Sequence, residues 1–116
     1  MLFTFGRTQD MIEIESLRKL DNPSQIAVTE HARQRLFERE ISVDDIVKCI
    51  AEGEIIKQYE DDKPFPSCLI LGTAVNDRYI HVVVSHDTEF IYLITAYYPD
   101  EQNWEPDFKT RKERTK

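Results

Sequence analysis

Apolar residues recur at helical spacing in the first half of the chain and at strand spacing in the second. Met11, Ile14, Leu17 and Leu20 stand three apart, which puts them on one helix face. With Asp10 as cap and Asn22-Pro23 as stop, they predict a helix over residues 11–20. Ile26 and Val28 lead into Thr29, which caps a predicted helix from Glu30 to about Glu38 with Ala32 and Leu36 as its apolar stripe. Val43, Ile46, Val47 and Ile50 predict a third helix. Ser42 and Asp45 have the spacing of a capping box, and Gly53 suits a left-handed C-terminal stop.

Beyond Gly53 the period changes to two. Residues 54–59, 68–75, 78–85 and 89–98 read as four strands. A Pro64/Pro66 loop separates the first pair, Asn76-Asp77 makes a tight turn with the asparagine tolerating positive φ, and His86-Asp87-Thr88 makes the last turn. Helices that precede such strands must bury their stripes on them. The expected fold is therefore a two-layer α+β domain, N-terminal helices on a four-stranded, mainly antiparallel sheet. The strand over 78–85 is apolar in both registers: Ile80, Val82 and Val84 in one, Tyr79, His81 and Val83 in the other. A sheet with one wet face would alternate. A partly concave, aromatic second face is expected around Tyr79, His81, Tyr97 and Trp104.

Length refines this picture only slightly. The 116 residues suit one domain, divided into an N-terminal extension with a helix (1–27), a core (28–111) and a charged tail (112–116). The chain has no apolar run that could span a bilayer, and the apolar stretch Met1–Gly6 meets Arg7 and Asp10 too soon for a secretory signal. Cys49 and Cys68, the only cysteines, match no zinc spacing. A cytoplasmic protein with reduced thiols, no metal and no cofactor is expected.

Charge changes the picture more. With 22 acidic and 15 basic residues the net charge is −7, which argues against a general salt-driven nucleic-acid binder. Local basic patches stay available at Arg33, Arg35 and Arg39, and toward the end at Lys109, Arg111 and Lys112. His31 and Arg35 stand four apart and share a helix face. A histidine can exchange a proton with a ribose hydroxyl or a leaving oxygen near neutral pH, and an arginine one turn away can fork a phosphate. The plainer reading has His31 in the first helical turn and the arginines paired with nearby acids. His81 has two readings as well: a groove-facing group acting with Tyr97, or a half-buried strand histidine bonded to Tyr79, Tyr97 or backbone. Trp104 and Phe108 flank Pro106 and either tuck the tail onto the sheet or present an anchor to a partner.

The stretch Thr29-Glu30-His31-Ala32-Arg33-Gln34-Arg35-Leu36 resembles the TxHAxxR opening of a family of small bacterial and archaeal domains of unknown function. Ile41-Ser42, Gly53-Glu54-Ile55-Ile56, the run from Asp62 to Leu69, His81-Val82-Val83 and Ile94-Thr95-Ala96-Tyr97 extend the resemblance over residues 28–111. The resemblance implies distant kinship with the RelE/BrnT group of ribonuclease toxins, which set helices against an antiparallel sheet and lie beside antitoxin-like proteins. It carries onto His31, Arg35, His81 and Tyr97 as catalytic candidates. Arg111 matches a basic residue near the domain's end, and Arg33, Tyr79 and Trp104 join it as candidates for substrate contact. Toxins of that group are usually basic, and this chain is not. Two functions are therefore expected to compete. One is a metal-independent endoribonuclease acting on RNA. The other is a non-catalytic module binding an antitoxin-like protein or a second copy in a homodimer.

Overall fold

In the computed structural model, residues 11–113 are described, and they place three helices on one face of a five-stranded sheet. Helix α1 (Ile14–Lys19) and a 3-10 turn (Pro23–Gln25) lead to β1 (Ile26–Val28). Then follow α2 (Glu30–Glu38), α3 (Val43–Glu52), β2 (Glu54–Tyr59), β3 (Ser67–Thr73), β4 (Tyr79–His86) and β5 (Ile91–Tyr97).

Helix α1 is shorter than the predicted 11–20, and its expected cap, Asp10, lies outside the described residues. Gln58 takes the backbone of residue 12 instead: the Ile12 N–H donates to Gln58 Oε1 at 3.0 Å, and Gln58 Nε2 donates to the Ile12 carbonyl at 2.9 Å. Thr29 caps α2 through the Ala32 N–H at 3.1 Å. At its other end, Ile41 N–H reaches the Leu36 carbonyl (2.9 Å) and Glu40 N–H the Phe37 carbonyl (3.1 Å), with Glu40 at φ 59°. This is a Schellman stop built on a non-glycine residue. Ser42 and Asp45 form the expected capping box of α3. The second Asp45 oxygen accepts from the Val75 N–H at 2.8 Å, tying the helix start to the β3–β4 turn.

Gly53 corrects one expectation. Its φ of −89° is not left-handed. A Cβ there would lie 2.5 Å from both the Cys49 and Leu71 carbonyl oxygens, so close approach of helix and strand is what requires glycine. In the β3–β4 turn the positive φ, 70°, falls on Asp77. Asn76 accepts from the Arg78 N–H instead.

The expected four-stranded antiparallel sheet is corrected as well. The order is β1-β5-β4-β3-β2, and β1 lies parallel to β5 with Ile26 opposite Ile91 and Val28 opposite Leu93. Strand β1 is three residues long, too short to display a period of two, and its partner is the last strand of the chain. The other three pairings are antiparallel, as expected.

Ile80, Val82 and Val84 face the helices and pack with Ile46, Ile50, Leu17 and Leu36 in one buried cluster. The other register of β4 explains the double apolar pattern. A C-terminal segment folds back over the opposite face as a short loop, with Trp104 bridged to Arg111 and the Glu105 N–H donating to the Thr110 carbonyl at 2.8 Å. Beneath it Trp104 is 7% exposed and His81 is 0% exposed.

Candidate functional site

Residues opposite one another in neighbouring strands share a sheet face. His81 stands opposite Leu71 on β3 and Tyr97 on β5, so all three project to the face away from the helices. The C-terminal segment closes over them. His81 Nε2 lies 2.8 Å from the Phe108 carbonyl and Nδ1 lies 3.3 Å from the Tyr97 hydroxyl. A carbonyl only accepts, so Nε2 carries the proton and Nδ1 accepts from Tyr97. The Trp104 ring meets the imidazole edge-on with centroids 4.4 Å apart. Phe108 holds a left-handed backbone at φ 56°, an unusual conformation for a bulky residue, just where its carbonyl turns toward His81. Burial pushes the His81 pKa below its ordinary value, against the opposing pull of the Phe108 carbonyl. The imidazole is therefore neutral at pH 7 and can still take a proton.

Tyr97 also lines a cleft of about 400 Å³ between β2 and the C-terminal segment, together with Lys57, Tyr59, Trp104, Lys109 and Arg111. Lys57 and Tyr59 stand two apart on β2 and so share a face; the Lys57 ammonium is 5.6 Å from the Tyr59 ring centre. The Arg111 guanidinium is 5.2 Å from the Trp104 ring centre, and Lys109 pairs with Glu54 at 2.8 Å. Both tyrosine hydroxyls are raised above the usual phenol range. Burial is the main cause in each, followed by the Asp62 charge for Tyr59 and the neighbouring Tyr59 for Tyr97, with Arg111 opposing both. They stay protonated at neutral pH; the Tyr97 proton is directed to His81 Nδ1, which leaves the Tyr97 oxygen as an acceptor toward the cleft.

His31, Arg33 and Arg35 are exposed on α2, whose buried residues are Ala32 and Leu36. The structure does not bring His31 to His81. It links the two regions through Arg39, which falls on the His31–Arg35 stripe at four-residue spacing. Arg39 Nη1 donates to the Ala96 carbonyl at 2.8 Å and to Thr95 Oγ1 at 3.3 Å, on the stretch of β5 that β1 is too short to cover. The basic stripe of α2 thus meets the sheet next to Tyr97. Tyr79 is 52% exposed and packs on Phe108 with centroids 5.4 Å apart.

Sequence reading singled out His81, Tyr97, Trp104 and Arg111, and placed Lys109 in a basic patch near the end of the chain, but passed over Lys57 and Tyr59. The Lys57/Tyr59 and Lys109/Arg111 pairs are both two apart. That spacing was the available signal, and only the fold-back of the tail joins the pairs. Among the described residues, no three His, Cys, Asp or Glu side chains converge as metal ligands, and no helix is long and apolar enough to cross a membrane.

Residues 28–98, from the end of β1 through β5, match the family described as Domain of unknown function (DUF4258). The chain belongs to this family. The DUF4258 match thus takes in α2, α3, His81 and Tyr97, and ends before Trp104, Lys109 and Arg111. No curated protein and no solved structure matches the chain.

Proposed function

We propose that this DUF4258 protein binds single-stranded RNA in the cleft between β2 and the C-terminal segment and cleaves it without a metal ion. The observation that carries this reading is the convergence of Lys57, Lys109 and Arg111 with two protonated tyrosines in one cleft of an acidic chain. Fixed cations in a cleft concentrate a local field that net charge does not report, and a phosphate is the ligand such a field suits. Aromatic faces beside a basic track are how unpaired bases are held. The resemblance to the RelE/BrnT toxins lends the same reading support from lineage.

Cleavage has a definite proton path. The ribose 2′-oxygen attacks the adjacent phosphorus and the bond to the 5′-oxygen breaks, leaving a cyclic phosphate and a free hydroxyl. The 2′ proton passes to the Tyr97 oxygen as the Tyr97 proton passes to His81 Nδ1. Lys57 protonates the leaving oxygen and regains a proton from solvent, while the His81 imidazolium returns its proton through the Tyr97 hydroxyl to solvent in the cleft. Arg111 opposes the charge that grows on the phosphorane, the kind of contribution worth roughly a hundredfold in rate. Arg35 and His31, on the stripe continued by Arg39, would contact the strand on its way into the cleft.

The test is cleavage of an unstructured RNA oligonucleotide in excess chelator. Tyr97→Phe and Arg111→Ala should each lower the rate by roughly ten- to a hundredfold, measured at a temperature where circular dichroism shows each variant folded. Wild-type cleavage that vanishes with chelator, or that persists in both variants, overturns the reading.

A further inference from the structure

We infer that Asp107 and the Phe108 carbonyl are positioning groups that fix the polarity of the His81–Tyr97 hydrogen bond, and with it the proton acceptor that Tyr97 turns to the cleft. The inference rests on the proposed RNA cleavage for its kinetic consequence alone. A neutral imidazole carries its proton on either ring nitrogen. With the proton on Nδ1, the ring has no lone pair for the Tyr97 proton, and the relay from ribose to imidazole has no terminus. With the proton on Nε2, Tyr97 donates to Nδ1 and its oxygen is free to accept. The partner of Nε2 separates the two cases, and that partner is the Phe108 carbonyl at 2.8 Å. His81 is fully buried, so bulk water does not take the carbonyl's place.

The turn Glu105-Pro106-Asp107-Phe108 aims that carbonyl. It is closed by the Phe108 N–H donating to the Glu105 carbonyl at 2.8 Å. Phe108 ends it at φ 56°, a position and a conformation that favour glycine. A bulky residue held there points to a demand made by the surrounding structure. Asp107 enforces it. Its Oδ1 accepts from the Lys109 N–H at 2.9 Å and from the Thr110 N–H at 3.1 Å, and its Oδ2 accepts from the Thr110 hydroxyl at 3.2 Å. The Lys109 N–H and the Phe108 carbonyl belong to one planar peptide unit. Asp107 therefore holds one edge of the plane whose other edge meets His81. Neither Asp107 nor Phe108 lines the RNA cleft, so their effect on the chemistry passes through the imidazole. Both also lie beyond the DUF4258 match, which brings His81 and Tyr97. The segment outside the match thus completes the pair.

The test compares wild type with Asp107→Ala and Asp107→Asn. The ring nitrogens of His81 are read by long-range proton–nitrogen-15 NMR at about pH 8, where the imidazole is neutral. Wild type should show Nε2 protonated and Nδ1 bare. In Asp107→Ala, a change at an exposed position, the two nitrogens should move toward a common average. Its kcat for RNA cleavage should fall about three- to tenfold as the productive fraction falls, with KM not raised. Asp107→Asn keeps an oxygen for both N–H groups and should restore tautomer and kcat to within about twofold of wild type. A role through charge alone would make the two variants alike. A wild-type ring protonated on Nδ1, a wild-type tautomer or an unchanged kcat in Asp107→Ala, or an asparagine variant no better than the alanine one would each overturn the inference. The tautomer is read without RNA. A wild type that cleaves no RNA while Asp107→Ala still mixes the tautomers would sink the cleavage reading and support the positioning.

Discussion

Glu40 adopts a left-handed backbone at φ 59° to complete the stop of α2. Its Cβ makes that conformation costly, whereas glycine visits it freely. Glu40→Gly should therefore stabilise the protein by about 1 kcal/mol, read as a shift in the denaturant midpoint at unchanged slope. Asp21 is a second residue held against its preference: its Oδ1 is buried without a hydrogen-bond partner, and burial lifts its pKa to about 6, with Arg18 opposing. The folded state then holds a proton that the unfolded state has already released between about pH 4 and 6. Stability gains from Asp21 as pH falls through 6 and loses above it. His81 works in the opposite direction, because its lowered pKa makes the unfolded chain the better proton acceptor below about 6.5. Comparing wild type with Asp21→Asn from pH 8 to pH 5 separates them. The variant should lose the acid-side gain and show only a decline. Neither residue stood out in the sequence, since a buried orphan oxygen and a positive φ come from tertiary placement.

At the scale of elements, the C-terminal segment matters most. It roofs His81 with Trp104 and supplies Lys109 and Arg111 to the cleft. Trp104→Ala should cost about 3 kcal/mol in stability. It should also let water reach the imidazole, raising the His81 pKa toward its ordinary value in an NMR titration. An unchanged His81 titration would mean that the roof does not desolvate it. The three helices and four antiparallel strands were legible because each repeats its period long enough to be recognised. Strand β1 was not, because three residues carry no period and a parallel partner at the chain's far end leaves no local trace. The double apolar register of β4 did announce that something covers the second face. Trp104 and Phe108 around Pro106 pointed to what covers it, yet nothing local revealed that the fold-back would carry Lys109 and Arg111 to Lys57 and Tyr59.

At the scale of the whole molecule, cations gather at one end of the sheet's second face, where Lys57, Lys109 and Arg111 line one cleft. A net charge of −7 hides this cluster, which is why composition argued against a nucleic-acid ligand and the cleft argues for one. Binding at the basic end should weaken with salt by a log–log slope of about 1.5 to 2, roughly 0.7 for each of the two to three cations that meet phosphate. The most direct measurement is a nitrogen-15 NMR titration with a short single-stranded RNA blocked at its 2′-oxygens, so that it binds without being cleaved. Shifts concentrated at Lys57, Tyr59, Tyr97 and Arg111, abolished by Arg111→Ala, are the predicted result. Shifts confined to the exposed face of α2 around His31 and Arg33, or no shift at millimolar RNA, would contradict it.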